Sequence, residues 1–423
     1  MKENFLHFLW QYKLFTPNKL QTKEGEAIEV IKSGAYNTNS GCDFLNVKLK
    51  IDGQIWVGNV EIHVNSSDWY VHKHEEDTNY DAVILHVVWQ HDTEVFMKNN
   101  MPIPTLELQH YVDKRLLGEY QNLFSKQLRW IPCENQISTI DTFVLTNWLE
   151  RLYFERLEQK SNLIKELLIA SNNDFEAVLF QLLAKNFGLK TNGDAFLKMA
   201  TSLDFSVVRK SWFQEETLLA LLFGQAGFLE ENLEETYHHN LKKEYKYLKH
   251  KYNLRAIANG FQFFRMRPTN FPTIRIAQLA SLYSKHQNLF SKLMQISKLE
   301  DFYKLFSVEV NDFWKTHYTF ETTSKKSAKK LTKSFIDLLL INTIVPLKFQ
   351  YLKSRGEVDE NDFLSLIQQI KPEKNSIISK FSDVKIDAKN AFESQALLQL
   401  KNNYCAPKLC LQCAIGKSIL KKK

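Results

Sequence analysis

The chain has 423 residues, 44% hydrophobic and 13% aromatic, with 30 Phe against only 13 Gly and 9 Pro. This composition excludes a disordered chain and an all-β sandwich with many tight connections, and the length calls for two or three domains built largely from helices. The net charge of +7 suits an anionic partner without identifying one.

The opening residues Glu3 to Trp10 carry apolar side chains at helical spacing and predict a short helix that ends before Thr16-Pro17-Asn18. Ala27 to Ile31 reads as a strand closed by Lys32-Ser33-Gly34. A Gly/Asn/Ser-rich loop then runs to Gly41 and delivers Cys42 and Asp43. Asp43 to Ile51 and Ile55 to Val64 flank Asp52-Gly53 as a β-hairpin. Ser66, Ser67 and Asp68 offer helix caps before Trp69 to His74, and the β-branched run Ala82 to Trp89 predicts a buried strand. A strand at Pro104 to Leu108 and a helix over Tyr111 to Ser125 lead to Trp130-Ile131-Pro132-Cys133.

Past Cys133 the pattern turns helical, over 141–170, 174–187, 194–202, 215–223, 240–251, 273–296, 299–318, 325–343, 359–370 and 388–401. The expected fold is an α/β domain with a mixed sheet over residues 1–130 and a mostly α-helical domain over 131–400. A Cys-rich tail over 401–423 is expected to pack back near Cys133 and to end on the solvated Lys421, Lys422 and Lys423. No apolar run reaches the roughly 20 residues of a membrane span and the N-terminus lacks signal-peptide features, so a cytoplasmic protein without a membrane partner is expected.

Glu61 and His63 lie two apart on a strand and share a face, while Val60, Ile62 and Val64 point to the other, which is the core. The carboxylate and imidazole are then either solvated or a site. Asp43 joins them only in one hairpin register. A two-residue Asp52-Gly53 turn pairs Asp43 with Ile62, whereas a three-residue Asp52-Gly53-Gln54 loop pairs it with His63, diagonal to Glu61. We expect the three-residue loop, because it alone builds a carboxylate pair. His72 and His74 offer auxiliary ligands or polar surface, and His86, inside an apolar run, reads as a core histidine.

An Asp followed by Glu-x-His on a hairpin, then a short helix and a strand, resembles the PD-(D/E)XK nuclease superfamily over roughly residues 24–110. The resemblance implies Asp43 and Glu61 as ligands of Mg²⁺ or Mn²⁺, with His63 where that superfamily carries a Lys and Cys42 where it carries a Pro. A neutral His serves as base near pH 7 but also ligates softer metals, so a Zn²⁺ or Mn²⁺ hydrolase of a small molecule stays open. At whole-chain level the sequence resembles an uncharacterised bacterial family of Bacteroidetes-type genomes, with no established activity. The segments that carry it are Cys42-Asp43-Phe44, Val60-Glu61-Ile62-His63, Ser66-Ser67-Asp68-Trp69 with His72 and His74, Ile84 to Val88, Arg267-Pro268 with Asn270-Phe271-Pro272, and the terminal cysteines.

The five cysteines are too few for a disulfide framework, yet Cys405, Cys410 and Cys413 crowd together and Cys133 is the candidate fourth ligand for zinc or an iron–sulfur cluster. The arrangement is similar to the iron–sulfur staple of some DNA-processing nucleases of the same superfamily, in which the remote Cys precedes the nuclease motif. Arg265, Arg267 and Arg275 bracket a proline-punctuated loop entering a helix near Thr273, and either hold phosphate or pair with acidic neighbours. The function expected is a metal-dependent, nuclease-like phosphodiesterase acting on DNA or RNA. Its rivals are a non-catalytic nucleic-acid or protein-binding scaffold and a small-molecule metallohydrolase.

Overall fold

The strand-forming third of the sequence builds one mixed sheet in the computed structural model, which describes residues 2–37, 40–124, 129–257, 260–357 and 360–421. Ser125, Lys422 and Lys423 lie outside the described residues. The chain divides into two compact units, Met1–Trp148 with Leu400–Lys423, and Leu149–Gln399.

The first unit opens with α1 (Glu3–Gln11), which buries Phe5, Leu6, Phe8, Leu9 and Trp10. Its strands are β1 (Leu20–Gln21), β2 (Ala27–Lys32), β3 (Ala35–Tyr36), β4 (Phe44–Ile51), β5 (Gln54–Asn65), β6 (Val83–Gln90) and β7 (Thr105–Glu107). The sheet runs β1-β2-β4-β5-β6-β7 with β3 also on β4. The β1 to β5 pairings are antiparallel, while β5, β6 and β7 are parallel.

The β4–β5 hairpin corrects one expectation. Ile51 pairs with Gln54, so the turn has two residues, Asp52 and Gly53, and both adopt positive φ (44° and 86°). That geometry matches the natural twist of the paired strands, which a three-residue loop does not need to supply. The carboxylate pair forms by another route. The register shifts between Val47, opposite Gly58, and Phe44, opposite Val60, so β4 carries one extra residue. This is a β-bulge, with Asn46 left-handed (φ 55°) and its N–H on Asn59 Oδ1 at 3.3 Å. The extra residue carries Asp43 back to the side of Glu61.

The segment joining β5 to β6 holds α2 (Asp68–Val71) and short 3₁₀ turns at His74–Glu76 and Thr78–Tyr80. Asp92, just past β6, accepts from Ser66 Oγ at 2.8 Å and Ser67 Oγ at 2.7 Å and so ties down the start of α2. Trp69 and Tyr80 from this segment are buried with Cys42 and Val83. The second sheet face is therefore covered: Glu61 is 5% exposed and His63 fully buried. The unit continues through α3 (Lys114–Leu123), where Tyr120 stacks on Phe5.

The second unit is helical, and several boundaries differ from the periodicity. The segment expected over 273–296 breaks into Pro272–Lys285 and Leu289–Gln295 because Asn288 turns left-handed (φ 54°). The one expected from 325 starts only at Lys333, where Thr332 caps it. It then passes a π-turn at Leu340–Ile344 into Val345–Arg355. Pro346 has no N–H to donate, and the wider π-turn absorbs the lost bond. This run, Lys333–Arg355, is long and apolar enough to cross a membrane by length and composition, against the expectation that no run of the chain reaches that length. Of its most apolar stretch 67% is buried inside the fold.

Candidate metal centre

The bulge brings each carboxylate onto a backbone N–H of the facing segment. The Asp43 N–H donates to Glu61 Oε2 at 3.1 Å, and the Ile62 N–H donates to Asp43 Oδ2 at 3.0 Å. Imidazoles gather around them from three elements. His63 comes from β5 itself, and its Nε2 lies 3.7 Å from Glu61 Oε1. His72 follows α2, with Nδ1 3.1 Å from His63 Nε2. His74 opens the 3₁₀ turn, and its Nε2 lies 3.3 Å from Glu61 Oε1. On a regular helix two residues two apart point to nearly opposite sides. Lys73 between them is left-handed (φ 59°), and this reversal turns both rings inward, with centroids 5.4 Å apart.

The donor atoms of His63, His72 and His74 all lie within 4.8 Å of one another. Metal–nitrogen bonds near 2.1 Å set ligand–ligand edges of roughly 3.0–3.4 Å, so the 3.1 and 3.3 Å separations already have coordination-shell size. The burial pattern fits the same reading: His63 and His74 are enclosed while His72 is exposed at the rim. Behind His63, its Nδ1 lies 2.8 Å from His86 Nε2. When that Nδ1 carries the proton, Nε2 is left as a lone pair aimed at His72, the arrangement by which an outer imidazole orients a ligand. The expected core histidine is thus tied to the centre, and its own Nδ1 is buried without a partner among the described residues.

A second donor set abuts the first. Glu3, His7 and Asp43 also group within 4.8 Å, with His7 Nε2 at 3.1 Å from Asp43 Oδ2 and 3.5 Å from Glu3 Oε1. Sequence reasoning missed Glu3 and His7. The one available signal was a carboxylate and an imidazole four apart on an otherwise apolar helix.

The electrostatics follow from burial and proximity. Burial raises the Glu61 carboxyl above its usual range, with His74 opposing. Burial lowers His63 to about 3, and drives His86 well below the normal imidazole value. His7 goes the other way: burial disfavours its charge, but the Asp43 and Glu3 carboxylates outweigh it and raise it to about 9. In the absence of a cation, then, the centre holds neutral imidazoles at its core. Cys42 is an inert thiol, pushed to about 12 by burial.

The other expected residues fall into two groups. Cys133, Cys405, Cys410 and Cys413 are all buried free thiols of the first unit. They influence one another electrostatically, since after burial Cys410 and Cys413 raise Cys133, and Cys133, Cys413 and Cys410 raise Cys405, but no three of their sulfurs converge within 4.8 Å as the imidazoles do. In the second unit Arg267 and Arg275 line one cavity, but Arg265 is not among its lining residues and sits over the exposed Phe264 ring. Arg275 is neither solvated nor paired with an acidic neighbour; it is buried at the start of its helix.

Over residues 3–376 the chain matches the family described as "Protein of unknown function (DUF2851)", and it belongs to that family. No curated protein and no solved structure matches it.

Proposed function

We propose that the sheet unit is a metal-dependent phosphodiesterase of nuclease-like fold acting on DNA or RNA, its cation held by Glu61, His63, His72 and His74 beside Asp43. The observation that carries this reading is the bulge-set contact of Asp43 with Glu61 inside a ring of imidazoles. A divalent cation supplies charge that neutralises phosphate and acidifies water. The residues do the rest: His86 fixes the His63 ring, the Asp43 and Glu61 carboxylates are aligned by backbone N–H groups, and the exposed edge at His72 admits a substrate. Three nitrogen donors with one oxygen favour Mn²⁺ or Zn²⁺ over Mg²⁺. The same nitrogen share favours a second reading, a small-molecule metallohydrolase.

The deciding experiment incubates the full chain, with Mn²⁺, Zn²⁺ or Mg²⁺, on single- and double-stranded DNA, RNA and a small aryl phosphodiester. Cleavage of nucleic acid that disappears in Asp43→Ala and Glu61→Ala is the expected result. Turnover of the small ester alone favours the metallohydrolase, and nucleic-acid binding without cleavage under every metal favours a scaffold.

We propose that the four thiols Cys133, Cys405, Cys410 and Cys413 hold a structural zinc or iron–sulfur cluster, which would draw their sulfurs together. Burial keeps them protonated otherwise, with Cys133 and Cys410 both near 12, and a metal is what makes such a group of thiols thiolate.

A further inference from the structure

The helical unit contains a cavity of about 430 Å³ whose charged lining is entirely cationic: Arg267, Arg275, Lys329 and Lys330. Three of these have no carboxylate ion pair among the described residues; only Lys330 does, with Glu309 at 2.7 Å. Lys329 donates from Nζ to Trp314 O, His317 O and Ser324 Oγ, all uncharged.

Arg275 is the informative group. It is 7% exposed. Its guanidinium donates to Gln278 Oε1 at 2.8 Å and Asn270 Oδ1 at 2.7 Å, lies 3.6 Å from the Phe335 ring centre, and leaves its buried Nε without a partner among the described residues. Of five N–H donors, two meet neutral oxygens. Taking a cation out of water without a counter-charge costs several kcal/mol, and an arginine stays charged under nearly all conditions. Asn270 and Gln278 hold the guanidinium fork in one orientation, and the exposed Arg267 stands at the rim of the same cavity. The walls are not only polar: Phe335 and Ile274 add an apolar side. Pockets of roughly 300–1,000 Å³ take small organic ligands, and a fixed guanidinium fork is suited to phosphate oxygens.

We propose that this cavity is a binding site for a phosphate monoester with an organic body of about nucleotide size. Arg275 and Arg267 grip the phosphate, and the organic body lies against Phe335 and Ile274. The site lies wholly within the helical unit and stands independently of the metal centre. Its ligand is either a free nucleotide-like phosphate or the phosphorylated end of a nucleic-acid strand.

Calorimetry on the full chain tests this with four probes: inorganic phosphate, a 5′-mononucleotide, and a short oligonucleotide with and without a 5′-phosphate. The mononucleotide is expected to bind more tightly than inorganic phosphate. Arg275→Gln is expected to weaken it about ten- to a hundredfold and Arg267→Gln about tenfold, since charge-assisted hydrogen bonds are the strong ones. Preference for the 5′-phosphorylated over the 5′-hydroxyl oligonucleotide assigns the strand end as a source; binding by the mononucleotide alone assigns the free molecule. Because Arg275→Gln alters a buried group, its melting temperature is measured alongside, and the rim variant Arg267→Gln carries the test if it does not fold. The proposal is overturned by absence of binding for every phosphate probe, by affinity unchanged in Arg267→Gln, or by equal binding of the two oligonucleotides with none of the mononucleotide.

Discussion

The two units treat buried charge in opposite ways. In the sheet unit the carboxylates at the centre face imidazoles: His7 with Glu3 and Asp43, and His63 and His74 with Glu61, and of these His7 is the one its carboxylates hold charged. In the helical unit the buried cations Lys160, Arg275 and Lys329 rest on amide, carbonyl and hydroxyl oxygens. Both choices are costly on their own, because a buried ionisable group either loses its charge or waits for a counter-charge. The first unit collects lone pairs, which a cation would complete on the reading proposed above. The second collects N–H donors, which an anion would complete on the proposal made for its cavity. The contrast teaches more than net charge, because +7 reports neither site.

The sharpest way to break the contrast is to delete the central carboxylate. Glu61→Ala is expected to abolish cleavage and to reduce bound Mn²⁺ to background, read by equilibrium dialysis, since it touches both His63 and His74. Full metal retention in this variant would mean that the imidazoles hold the cation alone. Next in size, His63→Ala is expected to weaken metal binding through the loss of a ligand nitrogen, by more than the about 10–100-fold expected of His86→Ala, which loses only the orienting partner. For the four thiols, near-stoichiometric zinc or iron in chelator-free, anaerobically purified protein is the expected outcome, and Cys133→Ser lowers it; neither metal at that level removes the assignment.

A stability prediction probes the scaffold that sets the centre. Gly58 pairs with Val47 at the edge of the bulge, and a Cβ there meets Ile84 Cγ2 at 2.4 Å and Ala82 O at 2.6 Å. Gly58→Ala is therefore expected to push β5 from β6 and to destabilise by about 1–3 kcal/mol, measured by urea unfolding, with metal affinity falling alongside. Unchanged metal affinity in a destabilised variant would separate the strand pairing from the site.

How far the sequence reveals these features depends on how local each one is. The hairpin was legible because Asp52-Gly53 between alternating apolar runs carries its own turn chemistry. The register was not, since nothing but a single Asn46 marks the bulge, and a left-handed Asn looks like any other strand residue on paper. The mixed sheet followed by helices was legible from the change of period after Cys133. The helix ends at Asn288 and Lys333 were not, because packing decides them. His72 and His74 could be named as candidates, but their convergence needs the φ of Lys73. Glu3 and His7 come from a different element, and only the tertiary fold brings them to Asp43.

The smallest expected effect tests the helical side of the contrast through Lys160. Its ammonium donates to Ile341 O, Asn342 Oδ1 and Gln395 Oε1, with no carboxylate bound among the described residues. Burial, then the neighbouring Arg156, lower it from 10.5 to about 7, with Glu373 opposing. Between about pH 7 and 10.5 the unfolded chain holds this proton while the folded chain has released it, so stability rises with pH across that window; below pH 7 both states are protonated and the dependence vanishes. Part of the residue reaches solvent, and screening there reduces the gain to about 1 kcal/mol rather than the full value of the shift. Urea unfolding at pH 7 and pH 10 compares the wild-type chain with Lys160→Met, which keeps the stem and removes the charge. The difference between the two pH dependences isolates Lys160 from the tyrosines and cysteines that titrate in the same range. A smaller rise in the variant is the expected result. Identical pH dependences would mean that the ammonium is balanced in place, and the rule that this unit buries cations uncompensated would then rest on Arg275 and Lys329.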